Sequence, residues 1–371
     1  MRQWRVGTIS MGFLLIVLGA LLLGNTLWDI SIENILFYGW PVILILLGLE
    51  VLLYSFFRKD GPLRFDFFSI FVLIIALMFT FVVYSVQATG IFPAIRGVIN
   101  DETYTVDIHE SLNIPTNVKE IEIEAPNGEF EITGTNDNTA NVVGTIRVSA
   151  ENQKDAEELI DRIFIVKTVG DKAIIRIESL SKENWFNTVK LKADLKMKIP
   201  QQLYLNTNLI NGDIQVNTMA NSGAIDGVNG TIRLNDSQGD FEVNTVNGRI
   251  YVDKATGDLD INTTNGEIQI NEALRKLEAN AVNGKINANS SKVNGDWELT
   301  TVNGEIDITI PENADAKILG KSSIGKVNGD LAWVDKNKDA KLGSEREAVL
   351  NGGKYTIELQ SQHGEIEVTL R

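Results

Sequence analysis

The chain has no cysteine and only two histidines, His109 and His363, in 371 residues. Without cysteine there is no disulfide framework, no thiolate zinc site, no iron–sulfur cluster and no cysteine nucleophile. Two lone histidines leave little material for a His-ligated metal centre or a His-based triad. Positive charge is also scarce: 34 Lys+Arg face 49 Asp+Glu, a net charge of -15. So acidic a chain is a poor match for a phosphate backbone, and no nucleic-acid partner is expected. Phosphate-loop, GxSxG and HExxH motifs are missing, and so is the flat threonine array that ice binding requires.

The charge is segregated. Residues 1–100 hold 6 Lys+Arg and 5 Asp+Glu, a balance of +1, which leaves -16 for residues 101–371. The first hundred residues contain three long apolar runs, 6–27, 35–57 and 67–86, of which only the second carries a charge, Glu50. Each is long enough for a helix to cross the hydrocarbon core, which takes roughly 20 residues. Three retained spans are expected; a cleaved signal peptide is the alternative for the first. Arg2 and Arg5 precede span one, and Arg58, Lys59 and Arg64 follow span two. This pattern places the N-terminus in the cytoplasm and exports everything after span three, with Trp28, Tyr38 and Trp40 near the outer interface. Arg96, just past span three, works against this orientation. Glu50 is an intramembrane polar residue and hence either a functional candidate or a paired glutamate that fixes helix packing.

The exported part is built on a repeat. Asn-Gly occurs at Asn211, Asn229, Asn247, Asn265, Asn283 and Asn303, at one constant interval that lengthens slightly only at the last step. Such self-similarity indicates a solenoid or array. Second turns lie at Gly239-Asp240 and Gly257-Asp258, with Asn294-Gly295-Asp296 in the matching place of the longer unit. Between turns the residues alternate as half-buried strands do: Ile232/Leu234, Ile250/Val252 and Ile268/Ile270 after the first turn, Phe241/Val243, Leu259/Ile261 and Leu277/Ala279 after the second. An antiparallel meander with Asn-Gly hairpins fits these facts, and so does a β-solenoid of two strands per coil. The constant step and the near-identical residue at each coil position favour the solenoid, because a hairpin has no reason to repeat a residue two strands later.

Irregular units flank the regular ones. Ile121, Ile123, Asn127-Gly128, Phe130 and Ile132 read as a first unit, 153–162 as a short helix, Val189–Ile199 as a strand closed by Pro200, and Tyr355 to Val368 around His363-Gly364 as a last unit. The expected organisation is a three-helix transmembrane domain over 1–90 and a linker over 91–118. An irregular β part with a short helix then covers 119–205, regular solenoid repeats 206–310, and C-terminal repeats with a cap 311–371.

If the coils stack, Glu242, Asp260, Glu278 and Glu298 form an outward ladder of carboxylates. Like charges opposed across a sheet repel, so a cation, a cationic peptide or a basic partner would find a place there. The plain alternative is a solvated acidic face. Asp335 to Asp339 resembles the start of a calcium loop but has Ala340 where the loop needs Gly and Arg346 where it needs a bidentate Glu. No metal, cofactor or catalytic residue is expected from it.

Two segments resemble known families. LLIVLGALLLG (14–24) and WPVILILLGLE (40–50) resemble the paired-helix membrane region of LiaI/LiaF-type proteins. The recurring VNGxIxV units of 119–371 resemble the bacterial adhesin-like, or toastrack, family of β-strand repeats. The resemblance implies a non-enzymatic protein of Gram-positive cell-envelope stress responses that acts as a sensor or scaffold, with an adhesin-like surface-binding protein as the alternative. Read together with the residues above, the expected partners are the lipid bilayer, another membrane protein of an envelope-stress system (met through Glu50 and the small residues Gly12, Gly19 and Gly48), and cell-wall polymer or a cationic peptide. One departure is that LiaF-type proteins are expected to have an even number of spans and an inside C-terminus, whereas three spans reverse this.

Overall fold

A computed structural model describes residues 102–178, 190–337 and 342–371, together with Gly12, Leu49 and Leu52, which are helical. The rest of the three expected spans, Glu50 included, lies outside the described residues. Among the described residues no helix is long and apolar enough to cross a membrane. The chain divides into two compact units, and residues 100–182 with 188–371 form the one described here.

Among its described residues this unit is all-β apart from one helix. In chain order it comprises β1 (Thr103–Asn113), β2 (Glu120–Thr135), β3 (Thr139–Ser149), α1 (Gln153–Ile163), β4 (Phe164–Val169), β5 (Lys172–Ile177), β6 (Leu191–Pro200) and β7 (Tyr204–Asn217). Regular pairs follow: β8 (Gly223–Asn229) and β9 (Ile232–Asn235), β10 (Phe241–Asn247) and β11 (Ile250–Ala255), β12 (Leu259–Asn265) and β13 (Ile268–Ala273). The next pairs are β14 (Leu277–Asn283) and β15 (Ile286–Asn289), then β16 (Trp297–Asn303) and β17 (Ile306–Ile310). The chain ends with β18 (Ala316–Ile324), β19 (Val327–Gly329), β20 (Val334–Asp335), β21 (Ser344–Leu350), β22 (Tyr355–His363) and β23 (Ile366–Leu370).

The strands form a solenoid, not a meander. Each strand from β8 to β17 pairs in parallel with its equivalent one coil away, Ile250 with Ile232 and Ile268, Leu277 with Leu259 and Trp297. Two parallel faces result, joined through the Asn-Gly corner. The even-numbered strands from β8 to β16 lie on one face and the odd-numbered ones from β9 to β17 on the other; β2 and β7 bend at their own Asn-Gly and contribute to both. Inward residues of both faces are buried, from Ile121 and Leu205 through Ile261 and Ile268 to Ile306 and Leu359. Outward residues are mostly polar, as the period of two demands for sheets wetted on one side, with Ile210, Val246 and Val282 as exposed apolar residues just before the Asn-Gly corner.

At both ends the chain order is broken. β2 stacks on β7 in parallel with Asn127 opposite Asn211, although the chain makes a long excursion between them, and β5 and β6 then add a further coil outside β2. At the far end β22 and β23 stack on β16 and β17, and the earlier β18 and β19 lie outside them. The first and last coils in sequence are therefore each sandwiched inside the stack. Antiparallel strands then cover the outermost coils: β3 on β6, β1 on β3, β4 on β5, and β21 on β18. Strand β1 lies in the segment expected as a linker. Its apolar residues Tyr104, Val106 and Ile108 do alternate, but it belongs to the antiparallel cap and has no Asn-Gly to mark it. Helix α1 falls where it was expected. Asn152 caps it by accepting the Asp155 N–H at 3.0 Å, and Ala156, Ile160 and Ile163 are its buried residues.

The corner explains the repeated Asn-Gly. Nδ2 of Asn211, Asn229, Asn247, Asn265, Asn283 and Asn303 each donates to Oδ1 of the Asn one coil back, at 2.8–3.0 Å, in a ladder that starts at Asn127. The glycines stack behind it. A Cβ on Gly266 would sit 1.7 Å from the Gly248 carbonyl oxygen, so no side chain fits. Inside the corner, the Thr301 and Ser361 hydroxyls donate to the Gly284 and Gly304 carbonyls at 3.0 Å, which satisfies buried polar groups in the core. The opposite corner uses a left-handed residue that is not glycine, once per coil: Thr218, Asp236, Lys254 and Glu272, with φ of 55°, 49°, 56° and 62°.

Two substitutions test the corner by chemical denaturation. Asn265→Ala removes two amide–amide bonds and is expected to cost about 1–2 kcal/mol. Gly266→Ala forces neighbouring coils apart and is expected to cost about 3 kcal/mol. Wild-type stability in Gly266→Ala would show that the coils do not approach this closely.

Candidate functional site

The register brings the four expected carboxylates together. Glu242 lies opposite Asp260, Asp260 opposite Glu278, and Glu278 opposite Glu298. The row continues to a fifth residue, Glu358 on β22, which pairs with Glu298. The sequence reading missed Glu358 because the whole of β17 to β21 separates it from its neighbour. The signal was nevertheless present: Ile357-Glu358-Leu359 repeats the apolar–acid–apolar phase of Leu277-Glu278-Ala279. Glu242, Asp260 and Glu298 are exposed, and Glu278 and Glu358 are half-buried. At the strand spacing of about 4.8 Å, neighbouring charges repel by about 1 kcal/mol in water-like surroundings.

The protein offsets part of this repulsion itself. Two residues further along the same strands runs a second amide ladder. Asn244 Nδ2 donates to Glu242 Oε1 and Asp226 Oδ1 at 3.0 Å, and Asn262 Nδ2 donates to Asp260 Oδ1 at 2.8 Å and Asn244 Oδ1 at 3.0 Å. Asn280 continues it to Asn262 at 3.0 Å. Lys276 approaches Glu278 at 3.5 Å. Among the described residues no Lys or Arg forms an ion pair with Glu242, Asp260, Glu298 or Glu358.

The N-terminal end of the same face is different. There Glu120, Glu122 and Glu124 of β2 meet cations supplied by β5: Lys172 lies 2.9 Å from Glu120, and Arg176 lies 2.7 Å from Glu124 and also pairs with Glu122. The Glu120 hydrogen bond is the main reason why Lys172 holds its proton more strongly than usual. Between the two acidic stretches sits Tyr204. Burial first, then the fields of Glu242, Glu120 and Asp226, push its phenol above its ordinary value. The acidic stretch at the N-terminal end is thus paired with cations supplied by β5, whereas in the row from Glu242 to Glu358 only Glu278 has one among the described residues.

The other face is mixed and internally paired. Arg233 stands 5.4 Å over the Tyr251 ring, Lys285 pairs with Glu305 at 3.3 Å and with Asp307, and Asn287 donates to Glu267 at 3.0 Å. Near its N-terminal end a groove of about 450 Å³ is lined by Glu131, Lys196, Asp213 and Arg233 among others; Lys196 is already paired with Glu131 at 2.7 Å. Of the stretch resembling a calcium loop, residues 338–341 lie outside the described residues. Asp335 accepts from Arg346 at 2.7 Å, so the residue in the place of the bidentate Glu neutralises the first expected ligand. Among the described residues no group of three or more side chains is arranged to hold a metal ion.

This geometry defines the class: a parallel β-solenoid of short two-strand coils with capped ends. The chain belongs to the Toastrack DUF4097 family, whose model matches residues 100–369. No curated protein matches the chain. Among solved structures, it is similar to a provisionally described cell adhesion protein from Clostridium sporogenes, with 10% identity and a TM-score of 0.22 over 72% of this chain and 100% of that one. It is also similar to a provisionally described lipid binding protein from Parabacteroides distasonis (16% identity, TM-score 0.35, 72% and 97% covered) and a provisional adhesin from Bacteroides fragilis (11%, 0.29, 73% and 98%). The family membership rests on the match to residues 100–369, not on these three structures.

Two expectations concern charge. Asp260→Asn should raise stability and Asn262→Asp should lower it, each by about 0.5–1 kcal/mol, with both differences shrinking in high salt. Melting curves at two ionic strengths decide this, and salt-independent differences would show that the row does not act through charge. The second concerns Glu272. Burial raises its carboxyl pKa, but hydrogen bonds from Ser291 and Arg371 outweigh burial and leave it lowered. A lowered folded pKa contributes stability above the unfolded value of about 4.3 and loses it as pH falls through the folded value. Glu272→Gln should therefore flatten the acid limb of the stability–pH profile.

Proposed function

We propose that the protein is a membrane-anchored, extracytoplasmic toastrack solenoid that acts as a non-enzymatic sensor or scaffold in the cell-envelope stress response. The carrying observation is the run of carboxylates from Glu242 to Glu358, which has register and exposure but few cationic partners within the chain. A fixed row of acids at strand spacing suits a cationic polymer or peptide, and the rigid stack suits a scaffold that presents that row. The apolar runs of 6–27, 35–57 and 67–86 serve as the anchor in this reading, with a LiaI/LiaF-like membrane region meeting a partner membrane protein through Glu50.

Topology is tested first. Lys292 is exposed, and the native chain has no cysteine. Lys292→Cys should react with a membrane-impermeant maleimide in intact cells; reaction only after lysis would sink the exported topology. A deletion strain should show altered expression of envelope-stress genes, whereas lost surface attachment with unchanged expression would support the adhesin-like reading instead. For the acidic row, a polylysine titration of the purified protein should give a signal that Glu242→Gln with Glu278→Gln weakens several-fold. If the double variant is more stable but binds equally well, the row is only a solvated face.

A further inference from the structure

The chain contains ten Asn-Gly pairs, at Asn127, Asn211, Asn229, Asn247, Asn265, Asn283, Asn294, Asn303, Asn328 and Asn351. Asn followed by Gly is the dipeptide most open to attack by its own backbone, because glycine has no side chain to shield its N–H. The glycine nitrogen loses its proton and attacks the asparagine Cγ, ammonia leaves, and a succinimide ring closes. Water then opens either carbonyl of the ring, giving Asp, or isoaspartate in which the main chain runs through the β-carbon. The reaction needs only water, provided that the glycine N–H is free and the carboxamide can turn.

The corner ladder denies both conditions. The N–H groups of Gly230, Gly248, Gly266 and Gly284 are donated to the Asn247, Asn265, Asn283 and Asn303 carbonyls of the next coil at 3.0–3.1 Å, and Gly304 N–H goes to the His363 carbonyl at 3.0 Å. The carboxamides of Asn229, Asn247, Asn265 and Asn283 each donate to one neighbour and accept from the other. Turning one breaks two bonds in the ladder. Asn351, outside the ladder, is tethered by its Nδ2 to the Ala314 carbonyl at 2.8 Å.

Asn294-Gly295 differs. It lies in the connection between β15 and β16, where the longer unit carries its additional residues. Asn294 is exposed, and among the described residues neither its carboxamide nor the Gly295 N–H has a hydrogen-bond partner. Gly295 cannot be exchanged to avoid the problem. A Cβ there would lie 2.5 Å from the Arg275 carbonyl carbon and from the Lys276 nitrogen, so the coil below demands glycine. The fold thus requires the glycine and leaves its asparagine unrestrained.

We propose that Asn294 deamidates spontaneously in the folded domain, while the corner pairs of identical chemistry are held intact by the stack. The product places a carboxylate beside Asp296, at the head of the strand that carries Glu298. The acidic face thereby gains charge as the protein ages.

The test uses the purified full-length protein in detergent micelles, held in mildly alkaline buffer and followed by peptide mass spectrometry that separates Asp from isoaspartate. In the folded protein the Asn294 peptide should convert at least about tenfold faster than the Asn229, Asn247, Asn265 and Asn283 peptides, a ratio equal to ~1.4 kcal/mol of barrier. In urea the difference should vanish, because every Asn-Gly is then equally free. Asn294→Gln, an exposed change that leaves the glycine in place, should remove the fast product. Conversion of Asn294 no faster than the corner asparagines in the folded protein, or corner asparagines reacting as fast folded as in urea, would overturn the proposal.

Discussion

The stack depends on a close approach of backbones at the Asn-Gly corner. Each corner glycine packs against the carbonyl of the one before it, and a methyl group added to any of Gly212, Gly230, Gly248, Gly266, Gly284 or Gly304 would overlap that oxygen. Such an approach fixes the coil spacing and also the register. Because side chains alternate with a period of two, a one-residue slip would turn every Ile and Leu of the core outward. The asparagine ladder reinforces the same register from the solvent side, since an amide can bridge to the next amide only when the corners superimpose. Glycine sets how close the coils come, and asparagine sets how they line up.

A stack of parallel strands has two open ends, each a template for pairing with another chain. Here the same device is used at both ends. The terminal coil of the sequence is tucked under its neighbour, and antiparallel strands lie on the coil left outside, β3 and β4 at one end and β21, over β18 alone, at the other. β18 and β19 have no parallel partner until β22 and β23 arrive, so the C-terminal half of the stack cannot be completed before the last strands are made. Such non-local pairing slows folding relative to the purely nearest-neighbour growth of a regular solenoid. In exchange, neither terminal coil of the sequence is an exposed edge.

The legible and illegible parts of this structure divide along local and non-local lines. The constant coil step, the inward Ile and Leu pairs and the four carboxylates could be read from the sequence, because each coil repeats the same local pattern. Asn127-Gly128 could be recognised as a repeat unit, but not its position against Asn211, because β3 to β6 intervene. Glu358 was hidden for the same reason at the other end. The left-handed corner at Thr218, Lys254 and Glu272 escaped because those residue types carry no turn signal; stacking imposes the conformation on them. Strand β1 escaped because it pairs outside the repeat altogether.

The acidic row raises the question of whether its repulsion demands a ligand. The middle coil containing β12 and β13 buries Leu259, Ile261, Ile268 and Ile270 to within 2% exposure. Each such side chain contributes about 1.5–3 kcal/mol when fully buried, against about 1 kcal/mol of repulsion per neighbouring charge in water-like surroundings. The Asn244 and Asn262 amides, which donate to Glu242 and Asp260, reduce that repulsion further. The repulsion is therefore small beside the burial it opposes, and the carboxylates are not a fault that a cation must repair. A ligand for the row is therefore recognised by a binding signal that follows the carboxylates, not by a gain in stability.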